Sequence, residues 1–203
     1  KGFTVEARKL LELVRGRYDC PDYRLTELNA VISLREGRID ELVRPLEDPD
    51  CPQDQRAAIE NIIKNELVDL SLLARCEALP SGHPLKNAAQ ATAEAFARVT
   101  SGVVKDEDVA LPAVSRRSPL APWKILIRAL ACFYRHDDEI CEKYLNAVDP
   151  ESAPGRLVPL IRGLIAGHSK VGLNKSSALL AEKVIGNNKT TRDALQMLDA
   201  ALA

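Results

Sequence analysis

Apolar residues recur at helical spacing through most of the chain, broken by short polar turns, and the alternation of a β-strand is hard to find. In residues 122–154, Ile125, Ala129, Cys132 and Phe133 share one helical face, while Lys124, Arg128 and Arg135 fall largely off it. The polar run His136, Asp137, Asp138, Glu139 interrupts the pattern, and Ile140, Cys141, Tyr144, Leu145 and Val148 form a second stripe. Asp149, Pro150 and Pro154 stop it, because proline cannot continue a helix interior. The pattern predicts a helical hairpin.

Residues 23–52 repeat the design. With Gly37 laid on His136, Leu28 falls on Ile127, Ala30 on Ala129, Val31 on Leu130, Leu34 on Phe133, Leu42 on Cys141 and Leu46 on Leu145. A lone hairpin cannot bury both its stripes, so a recurring one implies stacking against neighbours.

Further helices are predicted on both sides. Thr4 stands as an N-cap before Val5, Leu10, Leu11 and Val14. Residues 54–79 carry the longest periodic run, Ile59, Ile62, Ile63, Leu67, Leu70, Leu73 and Ala74, and predict one long spine helix. An alanine-rich helix over 85–100 follows the turn of Pro80, Ser81, Gly82 and Pro84. Another is expected over 155–166, one from a cap at Asn174 to about residue 185, and a last one from a cap at Thr190. The fold expected is all-α, stacked antiparallel hairpins of an α-solenoid kind with about 9–11 helices. Its domains would be an N-terminal helical group (1–103), an irregular linker or loop (104–121, with Pro112 and Pro119) and a C-terminal group (122–203).

The hairpin unit resembles the tetratricopeptide repeat. The early copy has glycine at the turn (Gly37), a small residue in the first helix (Ala30) and apolar residues in the second (Leu42, Leu46); the later copy has Ala129, Cys141, Leu145 and Val148. It departs from the pattern at His136, at Pro45 inside the early second helix, and at Trp123, two residues from the expected tryptophan. The resemblance implies a non-catalytic module that binds protein or peptide on a concave face lined by first helices. The residues it puts there are Asn29, Ser33, Trp123 and Arg128.

Composition narrows the rest. Aromatics are 4% of the chain, and 28 basic against 29 acidic side chains leave a net charge of −1. Phosphate-backbone binding needs a concentrated positive face, so nucleic acid is not expected as main partner, although Arg116 and Arg117 form a local basic pair. No run approaches the ~18 apolar residues of a membrane span. Five scattered cysteines without a CxxC pair point to reduced thiols and a cytoplasmic location. The chain begins Lys-Gly-Phe-Thr and ends in a helix with no polar cap, so the natural protein is expected to extend past both ends.

Candidate chemistry is thin. His136-Asp137 invites comparison with metal phosphohydrolases, the basis of an alternative enzyme reading with a cleft between the helix groups, but only His83 and His168 remain as further histidines. In residues 167–176, Leu173 and Asn174 separate the second glycine from Lys175-Ser176, which a phosphate loop does not allow. No GxSxG or HExxH occurs, and no cofactor is expected. Cys20 and Cys51 lie in polar loops and are the better-placed thiols; Asn174 and Asn188 begin glycosylation triplets. A third reading is self-association through exposed stripes.

Overall fold

The computed structural model describes residues 2–18, 22–102 and 104–165, and every regular element among them is helical. The α-helices are α1 (Gly2–Arg17), α2 (Asp22–Arg35), α3 (Ile39–Val43), α4 (Gln53–Glu66), α5 (Leu70–Ala74), α6 (Pro84–Ser101), α7 (Ala121–Tyr134), α8 (Asp138–Ala147) and α9 (Val158–Ile165). Short 3-10 turns occupy Arg44–Glu47, Asp106–Val109 and Pro154–Leu157. No described helix is long and apolar enough to cross a membrane. The elements expected beyond residue 165, with Asn174 and Thr190 as caps, lie outside the described residues, as do His168 and Cys20.

The chain divides into two compact units: Lys1–Glu94 with Leu111–Lys124, and Ala95–Ala110 with Ile125–Ala203. The division falls inside α6 and again inside α7.

Both expected hairpin turns are present and close alike. Gly37 (φ 78°) and His136 (φ 58°) adopt the left-handed conformation after α2 and α7. Gly37 N–H donates to Leu34 O (3.0 Å) and Arg38 N–H to Ser33 O (2.8 Å); His136 N–H donates to Phe133 O (3.1 Å) and Asp137 N–H to Cys132 O (3.0 Å). This pair of bonds satisfies carbonyls that a helix end leaves open. Glycine enters that conformation freely, and histidine more readily than most side chains. Asp137 then starts α8 by accepting from Ile140 N–H at 3.3 Å. Pro45 shortens the early second helix: α3 has only five residues before the 3-10 turn takes over, because a proline there has no N–H to give.

Three sequence expectations are corrected. The spine helix over 54–79 is two helices, broken where Leu67 turns extended (φ −76°, ψ 100°) and Asp69 starts α5 by accepting from Ser71 N–H (3.1 Å) and Ser71 Oγ (2.7 Å). An aspartate bonding its neighbours' backbone offers the chain an alternative to helix. Thr4 lies inside α1 rather than capping it. The helix expected from 155 starts at Val158, after a 3-10 turn.

In the first unit α2 packs on α1, α3 and α4. Ile39, Leu42, Val43, Ile59, Ile62, Ile63, Leu67 and Leu73 are among its buried residues. Polar side chains tie its loops to its helices. Asp40 of α3 accepts from Glu77 N–H (2.7 Å) and Ala78 N–H (2.8 Å), beyond α5. Lys86, in the first turn of α6, donates to Cys76 O (2.6 Å) and Leu79 O (3.0 Å). Lys124 does the same for Leu111 O (2.7 Å) and Val114 O (2.9 Å), pinning a turn in which Leu111 holds a positive φ of 47°. A cation near a helix N-terminus opposes the dipole, so these lysines are kept by the carbonyls they satisfy. Phe3, Val5, Leu10 and Leu13 of α1 stay exposed, so of the stripe expected there only Leu11 is buried.

His83 sets a pH dependence for this unit. Its Nδ1 accepts from Leu85 N–H at 3.2 Å, at the start of α6. Burial, and next the nearby Arg56, lower its pKa from the ordinary 6.5. The folded state therefore binds this proton less readily than the unfolded one, and the stabilisation is present above 6.5 and lost as pH falls below it. The urea midpoint should drop between about pH 7.5 and 5.5, with less of a drop in His83→Asn, which keeps an acceptor without titrating. An equal drop in that variant would remove His83 from the account.

In the second unit Leu126, Ile127, Leu130, Cys141, Leu145, Leu157 and Ile161 are buried. α9 touches α8 and the 3-10 turn before it. Arg162 of α9 reaches Glu142 (2.7 Å) and Asn146 Oδ1 (2.6 Å) on α8.

Candidate functional site

Asn29 and Ser33 are one turn apart on α2, so they face the same way. They line a cavity of about 270 Å³ in the first unit, completed by Arg8 of α1, Glu41 of α3 and Gln55 of α4, with Leu42, Pro45 and Ile59 as its apolar wall. Ser33 is buried at 4% exposure; its Oγ donates to Glu41 Oε2 at 3.0 Å and accepts from Arg8 Nη2 at 3.4 Å. Arg8 also pairs with Glu36 at 3.0 Å, and Arg38 bridges Glu36 and Glu41, the latter at 3.1 Å. Burial pushes the Glu36 carboxyl up, but its bonds from Arg38 and Arg8 outweigh that and hold it below its ordinary value.

That network fixes the rim and leaves donors idle inside it. Arg8 Nε is buried with no hydrogen-bond partner. The side-chain amides of Asn29 and Gln55 likewise make no hydrogen bond among the described residues. A buried polar group without a partner costs about 1–3 kcal/mol, so Arg8 Nε points to an occupant, while the two amides beside it are not buried and stand open to one. Arg8 and Gln55 escape the sequence pattern because nothing local to them indicates that α1 and α4 meet α2.

The other two expected contact residues lie elsewhere. Trp123 is 2% exposed, its indole N–H donating to Leu67 O at 3.3 Å within the first unit, so as a surface contact it is corrected to a core residue. Arg128 is half-buried in the second unit, where its Nε and Nη2 donate to Val109 O (3.4 Å) and Ala110 O (3.2 Å).

Among the described residues the alternative chemistries find no assembled site. His136 is exposed at its turn, and among the described residues no group of three or more His, Cys, Asp or Glu side chains could hold a metal ion. Cys51, Cys76, Cys132 and Cys141 are free thiols, and all but Cys51 are buried. Burial, helped by Cys132 and the neighbouring acids, pushes the Cys141 thiol up to about 12, and burial also raises Cys76. Both are therefore poor nucleophiles at neutral pH.

Compared with protein-family models, curated proteins and solved structures, the chain matches none. Its functional reading therefore rests on its own geometry.

Proposed function

We propose that this chain is a helical-repeat binding module that takes an extended peptide or protein segment, with the cavity of Asn29, Ser33, Arg8 and Gln55 as part of its contact surface. The observation that carries the reading is Arg8 Nε, buried without a hydrogen-bond partner, beside two amides that make no hydrogen bond among the described residues. A carboxamide both donates and accepts, as a backbone peptide group does, so two of them can replace the water around an extended chain. Leu42, Pro45 and Ile59 offer an apolar floor for one side chain. In this reading the two alike hairpins belong to a stack, and binding is recognition by shape with no reaction.

Panning a random peptide library against the purified chain tests it. The expected result is an enriched motif that binds wild-type protein at least about tenfold more tightly than the doubly substituted Asn29→Leu, Gln55→Leu chain, each lost buried bond contributing about 1 kcal/mol. Failure of any motif to enrich, or enriched motifs indifferent to both substitutions while the variant melts normally, would overturn the reading.

A further inference from the structure

The second unit holds a separate cavity, a trough of about 540 Å³, within the size range of small-molecule sites. Arg128, Cys132 and Arg135 form one wall, at the i, i+4, i+7 spacing that puts them on a single face of α7. Ile140 and Tyr144 of α8 form the opposite wall, and the Asp106–Val109 turn closes one side.

Most charges here are already matched. Arg135 pairs with Asp106 at 2.8 Å, and Asp137 keeps its charge while it accepts the Ile140 N–H as the cap of α8. Arg128 differs. Its hydrogen bonds go only to the carbonyls of Val109 and Ala110, and no carboxylate among the described residues pairs with it. Those two bonds use the edge of the guanidinium formed by Nε and Nη2, which leaves Nη1 and the second N–H of Nη2 as an open fork. Such a fork matches the two oxygens of a carboxylate. The carbonyls also hold the side chain in place, so little further ordering is needed when an anion arrives. Across the trough the Tyr144 hydroxyl makes no hydrogen bond among the described residues, and Ile140 keeps 42% of its surface exposed at the lip.

We infer that this trough binds a small organic monocarboxylate, with the carboxylate on the open fork of Arg128, the apolar body against Val109, Cys132 and Ile140, and the Tyr144 hydroxyl as a further donor or acceptor. The single open fork of Arg128 fits one carboxylate. Asp106 and Asp137 line the same trough and repel a dianionic phosphate more than a monoanion, and no second cation without an acid partner lines it among the described residues, so phosphate is disfavoured. The inference stands on the second unit alone and does not depend on peptide binding in the first.

The test is titration of the full 203-residue chain, followed by NMR of amide and arginine Nε–H signals, with 3-phenylpropionate, its neutral amide and a phenylalkyl phosphate of similar length. The expected result is saturable binding of the carboxylate at least about tenfold tighter than the amide, with shifts centred on Arg128 and on residues 140–144. Arg128→Gln should weaken it by about tenfold or more and Tyr144→Phe by a few-fold, while Asn29→Leu with Gln55→Leu leaves it unchanged. If Arg128→Gln fails to fold, Arg128→Lys and Tyr144→Phe decide, and both must bind more weakly than wild type. Equal binding of the amide, tighter binding of the phosphate, no saturable shift, or folded Arg128 and Tyr144 variants that bind as wild type would each overturn the inference.

Discussion

Trp123→Ala should lower the stability of the chain by about 4 kcal/mol, a large share of the 5–15 kcal/mol typical of a folded domain. Trp123 is among the largest fully buried side chains, and alanine would leave a cavity that the surrounding helices fill only in part. A second loss comes from the backbone. Leu67 sits at the break between α4 and α5, wholly buried and extended, and its carbonyl takes the indole N–H at 3.3 Å. Trp123→Phe separates the two contributions: it keeps most of the ring volume but withdraws that donor, and should cost about 1–3 kcal/mol. Urea unfolding followed by far-ultraviolet circular dichroism is the suitable measurement, since Trp123 is the single tryptophan and both variants remove its fluorescence. Should Trp123→Ala unfold within about 1 kcal/mol of wild type, the side chain is not packed as described.

The same pair of residues shows where sequence reading succeeds and stops. Period and turn chemistry located the turns after α2 and α7, because Gly37 and Asp137 act through their own backbones, whatever surrounds them. The spine helix failed for the complementary reason. Leu67, Leu70 and Leu73 keep the apolar spacing of a helix across the break, and that spacing reports which residues are buried rather than whether the backbone is continuous. Asp69 before Ser71 was the available signal, a side chain able to take the N–H two residues on, and the leucine periodicity masked it.

The candidate sites were legible only in part, since each is made by segments far apart in the chain. Asn29 and Ser33 share a helical face, and repeat analogy reached both. Their cavity partners Arg8 and Gln55 come from other helices. Analogy also named Trp123, but an amphipathic ring fits an interior as well as a surface, and Leu67 supplies the acceptor that settles it inside. Analogy named Arg128 too; that its charge meets no acid among the described residues is a property of the fold.

Gly155→Ala should destabilise the second unit by about 3 kcal/mol or more, although it adds a single methyl group. Gly155 is buried in the 3-10 turn Pro154–Leu157, among Ala153 and Leu157, neither of which has any exposed surface. A Cβ built there collides with the Asp149 carbonyl oxygen and comes within 2.8 Å of the Pro150 oxygen. Both obstacles are backbone, so no rotamer change moves them aside. The Asp149 carbonyl is also held from the other side, by Ser152 N–H (3.1 Å) and Ser152 Oγ (2.5 Å), and Gly155 N–H is bound to Ser152 O at 3.0 Å. Relief therefore requires the 149–155 turn to open and surrender those bonds. Gly16→Ala is the matched comparison: that glycine lies in α1 with nothing within 4 Å of the added methyl, so the same substitution should stabilise by about 0.5 kcal/mol through the lower backbone entropy of the unfolded chain. Thermal melts of the two variants should move in opposite directions from wild type, and a Gly155→Ala melt unshifted from wild type would show that the turn is not closed on Asp149 and Pro150 in solution.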